Sequence, residues 1–185
     1  GPHGLEKAAV NLGSLGKPGA EVVKDVAWRP RQVLPLVEIH VPFKLSAGDL
    51  EQVTRGGTTP ELAPVIAAAQ KAAAFEEQLI YHGLPQSAGH AGMLPSSGHK
   101  PVTLSREAAS FPVAVESAVH TLQQSGVAGP YQLVLGRDAF RTLAVGDNHG
   151  YPLRKRISDL LSGGAIHWSP ALNGGILFSS RGGDF

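Results

Sequence analysis

The stretch RQVLPLVEIHVPFKL, residues 31–45, alternates β-branched and apolar residues, and prolines at 35 and 42 interrupt it. A proline has no amide hydrogen to give to a ladder, so a strand carrying two of them is confined to an edge or a paired ribbon. Residues 1–27, rich in Gly, Ala and Val without a sustained period, read as an extended arm. Arm and run together predict a long, exposed β-hairpin. Its open edges would invite aggregation in a lone molecule, so a partner chain is their natural cover.

Residues 58–83, TTPELAPVIAAAQKAAAFEEQLIYHG, predict a helix. Thr59 can cap its start, Pro60 suits the first turn and Gly83 can end it. Leu62, Val65, Ile66, Ala69, Ala73, Phe75, Leu79 and Ile80 fall mostly three or four apart, and the alanines make a slim helix that can pack closely on one side. The loop-rich stretch 84–102 marks a candidate domain junction. After it, the pattern predicts a helix from Pro112 to about Ser125, a buried strand over 131–135 and a short helix over 137–144. A loop follows, then a helix from Pro152 through Leu161, ended by Gly163 and Gly164, and strands over 165–169 and 175–180. Alternating strands and helices make this second part α/β, within a chain that is α+β as a whole.

The 185 residues suffice for one domain or two small ones with a buried core, and 42% apolar content excludes a disordered tail. There is no cysteine, which excludes a disulfide framework, a thiolate zinc site and a cysteine nucleophile. Sixteen basic residues against fifteen acidic ones leave a charge of +1, with no general pull toward nucleic acid or an anionic membrane. No apolar run approaches the roughly 20 residues that span a bilayer, and no signal-peptide layout opens the chain. A soluble, cytoplasmic protein is the expectation.

The chemistry-bearing residues do not assemble into a catalytic pattern. His90 and His99 stand nine apart in the 84–102 loop, which is no metal-ligand spacing. The LGSLG of 12–16 and the SSG of 96–98 lack the strand–turn–helix setting of a hydrolase nucleophile. In DNHGYPLRKR, residues 147–156, His149 has Asp147 two residues away, too local for a positioned dyad. The SGGAI and RGGDF stretches lack the lysine and helix of a phosphate loop and read as a helix cap and a strand-end turn. Arg154, Lys155 and Arg156 read as a solvated face. The expectation is no catalytic residue, no metal and no cofactor.

An ordered set of stretches carries a resemblance. It runs GPHG…AAVNLG (1–13), PLVEIHVPFKLS (35–46), RG (55–56), AAAFEEQLIYHG (72–83), GVAGPYQLVLG (126–136), HGYPL (149–153), LLSGGAIHWSPAL (160–172) and RGGDF (181–185). In that order the set resembles the encapsulins, bacterial and archaeal shell proteins. The resemblance implies the tailed-phage major-capsid fold of the Hong Kong 97 type. Residues 1–43 would form the arm and extended loop, 44–100 the peripheral-domain segment with its spine helix, and 101–185 the axial domain. Such subunits close into an icosahedral shell, on the order of sixty copies or a multiple, through ring-closing contacts. The shell encloses a cargo enzyme bearing a targeting peptide, often a peroxidase or a ferritin-like iron protein.

Family members continue further at both ends, where a leading helix helps to hold the targeting peptide and a trailing strand completes the peripheral domain; this chain reads as a shortened version. Some members bind flavin on a tryptophan just after the PF.L run, but Gly48 stands there in this chain, so no flavin is expected. The family's pore loop maps onto Asp147, Asn148, His149, Gly150 and Tyr151, which would ring a five-fold axis and gate by diameter and charge. A partly protonated His149 near a ring of Asp147 would make passage sensitive to pH. Two other readings stay open: a phage or prophage capsid protein, and a small α/β hydrolase centred on His149.

Overall fold

A hairpin forms where the prolines place one. β1 (Ala9–Leu15) pairs antiparallel with β2 (Arg31–Pro35), Val10 opposite Leu34 and Asn11 opposite Val33. The register shifts between Asn11 and Leu15 around Gly13, whose φ of +72° suits a bulge. β2 is strand for only the first five residues of the predicted run: after Pro35 the Leu36 amide still donates to the Ala8 carbonyl at 2.8 Å, and then the ladder ends. The long connection between the strands is laced together. The amides of Gly16 and Gly19 donate to the carbonyls of Pro30 and Trp28, and the Trp28 indole N–H donates to Ala20 at 2.9 Å. That indole lies over Gly19, where a Cβ would collide with the ring.

The computed structural model describes residues 6–85, 89–148 and 151–182, and the chain divides into two compact units, 1–92 and 93–185. In the first unit α1 (Ala47–Thr54) is an element that the sequence pattern did not predict. It is short and mostly polar, and only the Ser46 hydroxyl, accepting the Asp49 amide at 3.4 Å, marks its start. α2 (Ala63–His82) begins three residues later than the reading from Thr59 and Pro60, its cap at Leu62 instead of Thr59. The reason is Pro64. In a helix opened by Pro60, Pro64 would sit beyond the free first turn, with no amide to donate and its ring against the carbonyl four residues back. Pro64 therefore takes the first turn itself. The far end falls as expected, with Gly83 at φ +76° and its amide on the carbonyls of Gln78 and Leu79. Among the described residues of this unit, only Ala68 and Gly83 are buried.

The second unit has a core of its own. A short helix, α3 (Met93–Ser96), and a 3₁₀ turn (Ala108–Ser110) lead into α4 (Phe111–Gln124). β3 (Tyr131–Leu135), α5 (Arg137–Val145), β4 (Asp147–Asn148), β5 (Tyr151–Pro152) and α6 (Leu153–Leu160) follow, then β6 (Ile166–Trp168) and β7 (Gly175–Ser179). β3 is the central strand, parallel to β6 on one side and antiparallel to β7 on the other. Its near-continuous apolar run suits a strand covered on both faces. Phe111, Val115 and Val119 of α4 pack on Tyr131, Leu133 and Leu135 of β3, together with Leu153, Ile157 and Leu161 at four-residue spacing on and just after α6. The last three are wholly buried, and burial of each contributes about 1.5–3 kcal/mol. Two buried hydroxyls tie the turn before β3: Tyr131 donates to Val127 at 2.8 Å and Ser179 to Ala128 at 2.7 Å.

Candidate functional site

The stretch 147–156 is built outward from this core. α5 carries Leu143, 1% exposed, on its inner face and ends at Gly146, whose amide donates to Thr142 at 2.9 Å. A Cβ on Gly146 would meet the Leu153 side chain, the Thr142 carbonyl and Ala108, so only glycine lets the chain leave α5 this tightly. β4 and β5 then pair antiparallel, Asp147 opposite Pro152 and Asn148 opposite Tyr151. At Pro152 the backbone is extended, with φ −56° and ψ 121°, and α6 begins at once with the fully buried Leu153. The hairpin's two legs are thus held by Leu143 on one side and Leu153 on the other.

Of the five residues expected at a pore, the structure places the backbones of Asp147, Asn148 and Tyr151 together on this hairpin; His149 and Gly150 lie outside the described residues. What the sequence read as a loop is a two-stranded ribbon anchored at its base. The cations that follow divide by role. The Arg154 guanidinium stands 5.8 Å from the centre of the Phe140 ring, joining α6 to α5 behind the hairpin, and Lys155 pairs with Asp159 at 2.8 Å. The exposed Lys155 pair is worth about 0.3–0.5 kcal/mol.

Among the described residues no group of three or more His, Asp or Glu side chains is close enough to hold a metal ion. None of the helices among them is long and apolar enough to cross a membrane. The motifs read from the sequence leave out Arg106, Arg137 and Arg141, which line one groove of the second unit. Their signal in the sequence was the pair of arginines four apart in RDAFRTLA.

A family model described as "Encapsulating protein for peroxidase" matches residues 1–185. The chain is 36% identical over 185 residues to the type 1 encapsulin shell protein of Rhodococcus erythropolis, covering all of this chain and 69% of that one. It is 34% identical to the protein of the same description from Mycobacterium tuberculosis, covering 68% of it. A virus-like particle from Pyrococcus furiosus is similar in structure, with a TM-score of 0.53 at 17% identity, over 94% of this chain and 66% of that one. At that identity the likeness bears on fold alone. The chain thus spans about two thirds of the length of these relatives.

Proposed function

The chain belongs to the encapsulin family, and on that premise we propose that it is a non-enzymatic shell subunit that closes with copies of itself into an icosahedral cytoplasmic compartment around a cargo enzyme. Its mixed α+β fold is the tailed-phage major-capsid fold that the ordered motifs implied. One observation carries the self-assembly: the second unit encloses a core, whereas the first offers a ribbon and a twenty-residue helix with only Ala68 and Gly83 buried among its described residues. Val22, Val23, Val26 and Trp28 crowd the ribbon's connection, and Val22 is 79% exposed. Isolated two-stranded ribbons are marginal in water, and apolar surface on this scale marks contact with other chains.

In this reading residues 1–43 clasp a neighbouring subunit, 44–100 supply the peripheral segment and 101–185 surround the symmetry axes. The cargo is a peroxidase or a ferritin-like iron protein brought in by its targeting peptide, with neither nucleic acid nor membrane as a partner. The decisive experiment is negative-stain imaging with mass photometry of the complete gene product. Hollow, uniform particles on the order of a megadalton or more are expected, the mass of about sixty subunits or a multiple. A monomer would refute the reading, and particles packed with DNA would identify a phage capsid instead.

The 147–151 hairpin is the proposed pore rim. What supports it is its anchorage on Leu143 and Leu153, which holds a short ribbon at a constant place in every subunit. Replacing His149 with alanine should flatten the difference in small-ion entry between about pH 6 and pH 8, the range over which an ordinary histidine changes charge. An unchanged pH dependence of entry, measured by stopped-flow quenching of an enclosed dye, would remove His149 from the gate.

A further inference from the structure

We propose that a groove on the second unit binds a small phosphate-bearing anion. The groove is open to solvent on one side and has a volume of about 860 Å³ between residues 104–106, the start of α5 and the turn 170–174. Arg106, Arg137 and Arg141 line it, and Asp138 is the one acidic residue in that lining. None of the three arginines has an ion-pair partner among the described residues.

The placement of these charges runs against helix stability. Arg137 and Arg141 are four residues apart on α5, where like charges repel. Elsewhere the chain uses this spacing for attraction, as in Glu51 with Arg55 and Lys155 with Asp159. A repulsive pair beside a third arginine leaves three cations against the single carboxylate of Asp138 in this lining, with no ion pair to any of the three among the described residues. The start of α5 adds the positive end of its dipole.

Shape selects the kind of anion. The volume lies within the range of small-molecule sites. Its walls are held close: a Cβ on Gly136 would collide with the Leu172 carbonyl, and the Gly136 amide donates to Gly174 at 2.7 Å. Guanidinium forks match the oxygens of phosphate in pairs, and three arginines along one groove favour phosphate over a single carboxylate. Inorganic phosphate and a phosphate monoester share this chemistry.

Calorimetric titration of the assembled protein with inorganic phosphate and, separately, with a nucleoside monophosphate, in low salt without sulfate, tests the site. Saturable binding at one site per subunit is expected for at least one of them, and the tighter of the two identifies the source. In the double variant Arg137→Gln/Arg141→Gln the affinity should fall tenfold or more. It should stay the same in Arg154→Gln, whose guanidinium lies over Phe140 rather than in the groove. Because the like charges repel, the double variant should also unfold at a urea concentration no lower than the parent's. The proposal is overturned if neither anion binds saturably or if all variants bind equally. It is also overturned if the double variant loses its particles, since the arginines would then be answering acids of a neighbouring copy.

Discussion

Replacing Gly164 with alanine is expected to unfold the second unit or to lower its stability by at least about 3 kcal/mol, the upper range for overpacking a closed site. A Cβ at Gly164 would fall inside the van der Waals shell of the Tyr131 carbonyl oxygen, with the Tyr131 backbone carbon and nitrogen next in line. No side chain can swing away to make room, because the obstacle is the main chain of the central strand. That strand is held there by the Tyr131 amide donating to Leu161 at 2.9 Å and by the Leu133 amide donating to Ala165 at 3.0 Å. Gly163 supplies the control. It has nothing within 4 Å of an added Cβ but sits at φ +89°, so alanine there costs about 1–2 kcal/mol through backbone conformation alone. Neighbouring glycines are thus required for different reasons, space at one and left-handed backbone at the other. Urea unfolding followed by circular dichroism separates them: Gly164→Ala should shift the midpoint well beyond Gly163→Ala. Equal midpoints for Gly164→Ala and the parent would mean that residues 161–165 do not lie against β3 as described.

The same pair shows how far the sequence could be read. Gly163 and Gly164 were legible as the end of a helix, because α6 announces itself through Leu153, Ile157 and Leu161 at one spacing and glycine is the usual stop. The close approach of Gly164 to Tyr131 was not legible, since it depends on a contact between residues 33 apart in sequence. β3 was readable from a buried apolar run, and α4 from Pro112 onward. α1 was hidden because Leu50 and Val53 are too few to make a stripe. The start of α2 was misplaced because Thr59 and Pro60 imitate a helix opening, while the constraint that decides lies in Pro64. The hairpin of β4 and β5 was read as a loop: nothing in the residue types of DNHGYP distinguishes a strand pair from a loop, and β4 and β5 exist because Leu143 and Leu153 fix their ends. The arginines of the groove were not singled out in the sequence: only the four-residue spacing of Arg137 and Arg141 could have drawn attention to them, and Arg106 joins them only through the fold.

The double substitution Leu15→Asp/Val33→Asp is expected to abolish large particles while leaving the second unit folded. Leu15 is 57% exposed and Val33 53% exposed on the ribbon, and neither belongs to the core that Phe111, Tyr131 and Ile157 define. In a lone molecule two aspartates on such a surface would change stability by no more than about 1 kcal/mol, ~0.5 kcal/mol for each. In the proposed shell a neighbouring subunit covers the ribbon, and each carboxylate buried there without a partner would cost about 3–5 kcal/mol, the figure for a broken ion pair in an interior. The penalty recurs at every copy, so on the order of sixty subunits multiplies it and assembly has no route around it. Mass photometry of the parent and the variant at equal subunit concentration reads the difference, with circular dichroism confirming that the helices of the second unit persist. Particles of parental mass in the variant would show that the ribbon stays in solvent after assembly. The apolar surface of the first unit would then need another cover, such as the cargo, and particles formed with and without cargo would differ in their tolerance of the same two aspartates.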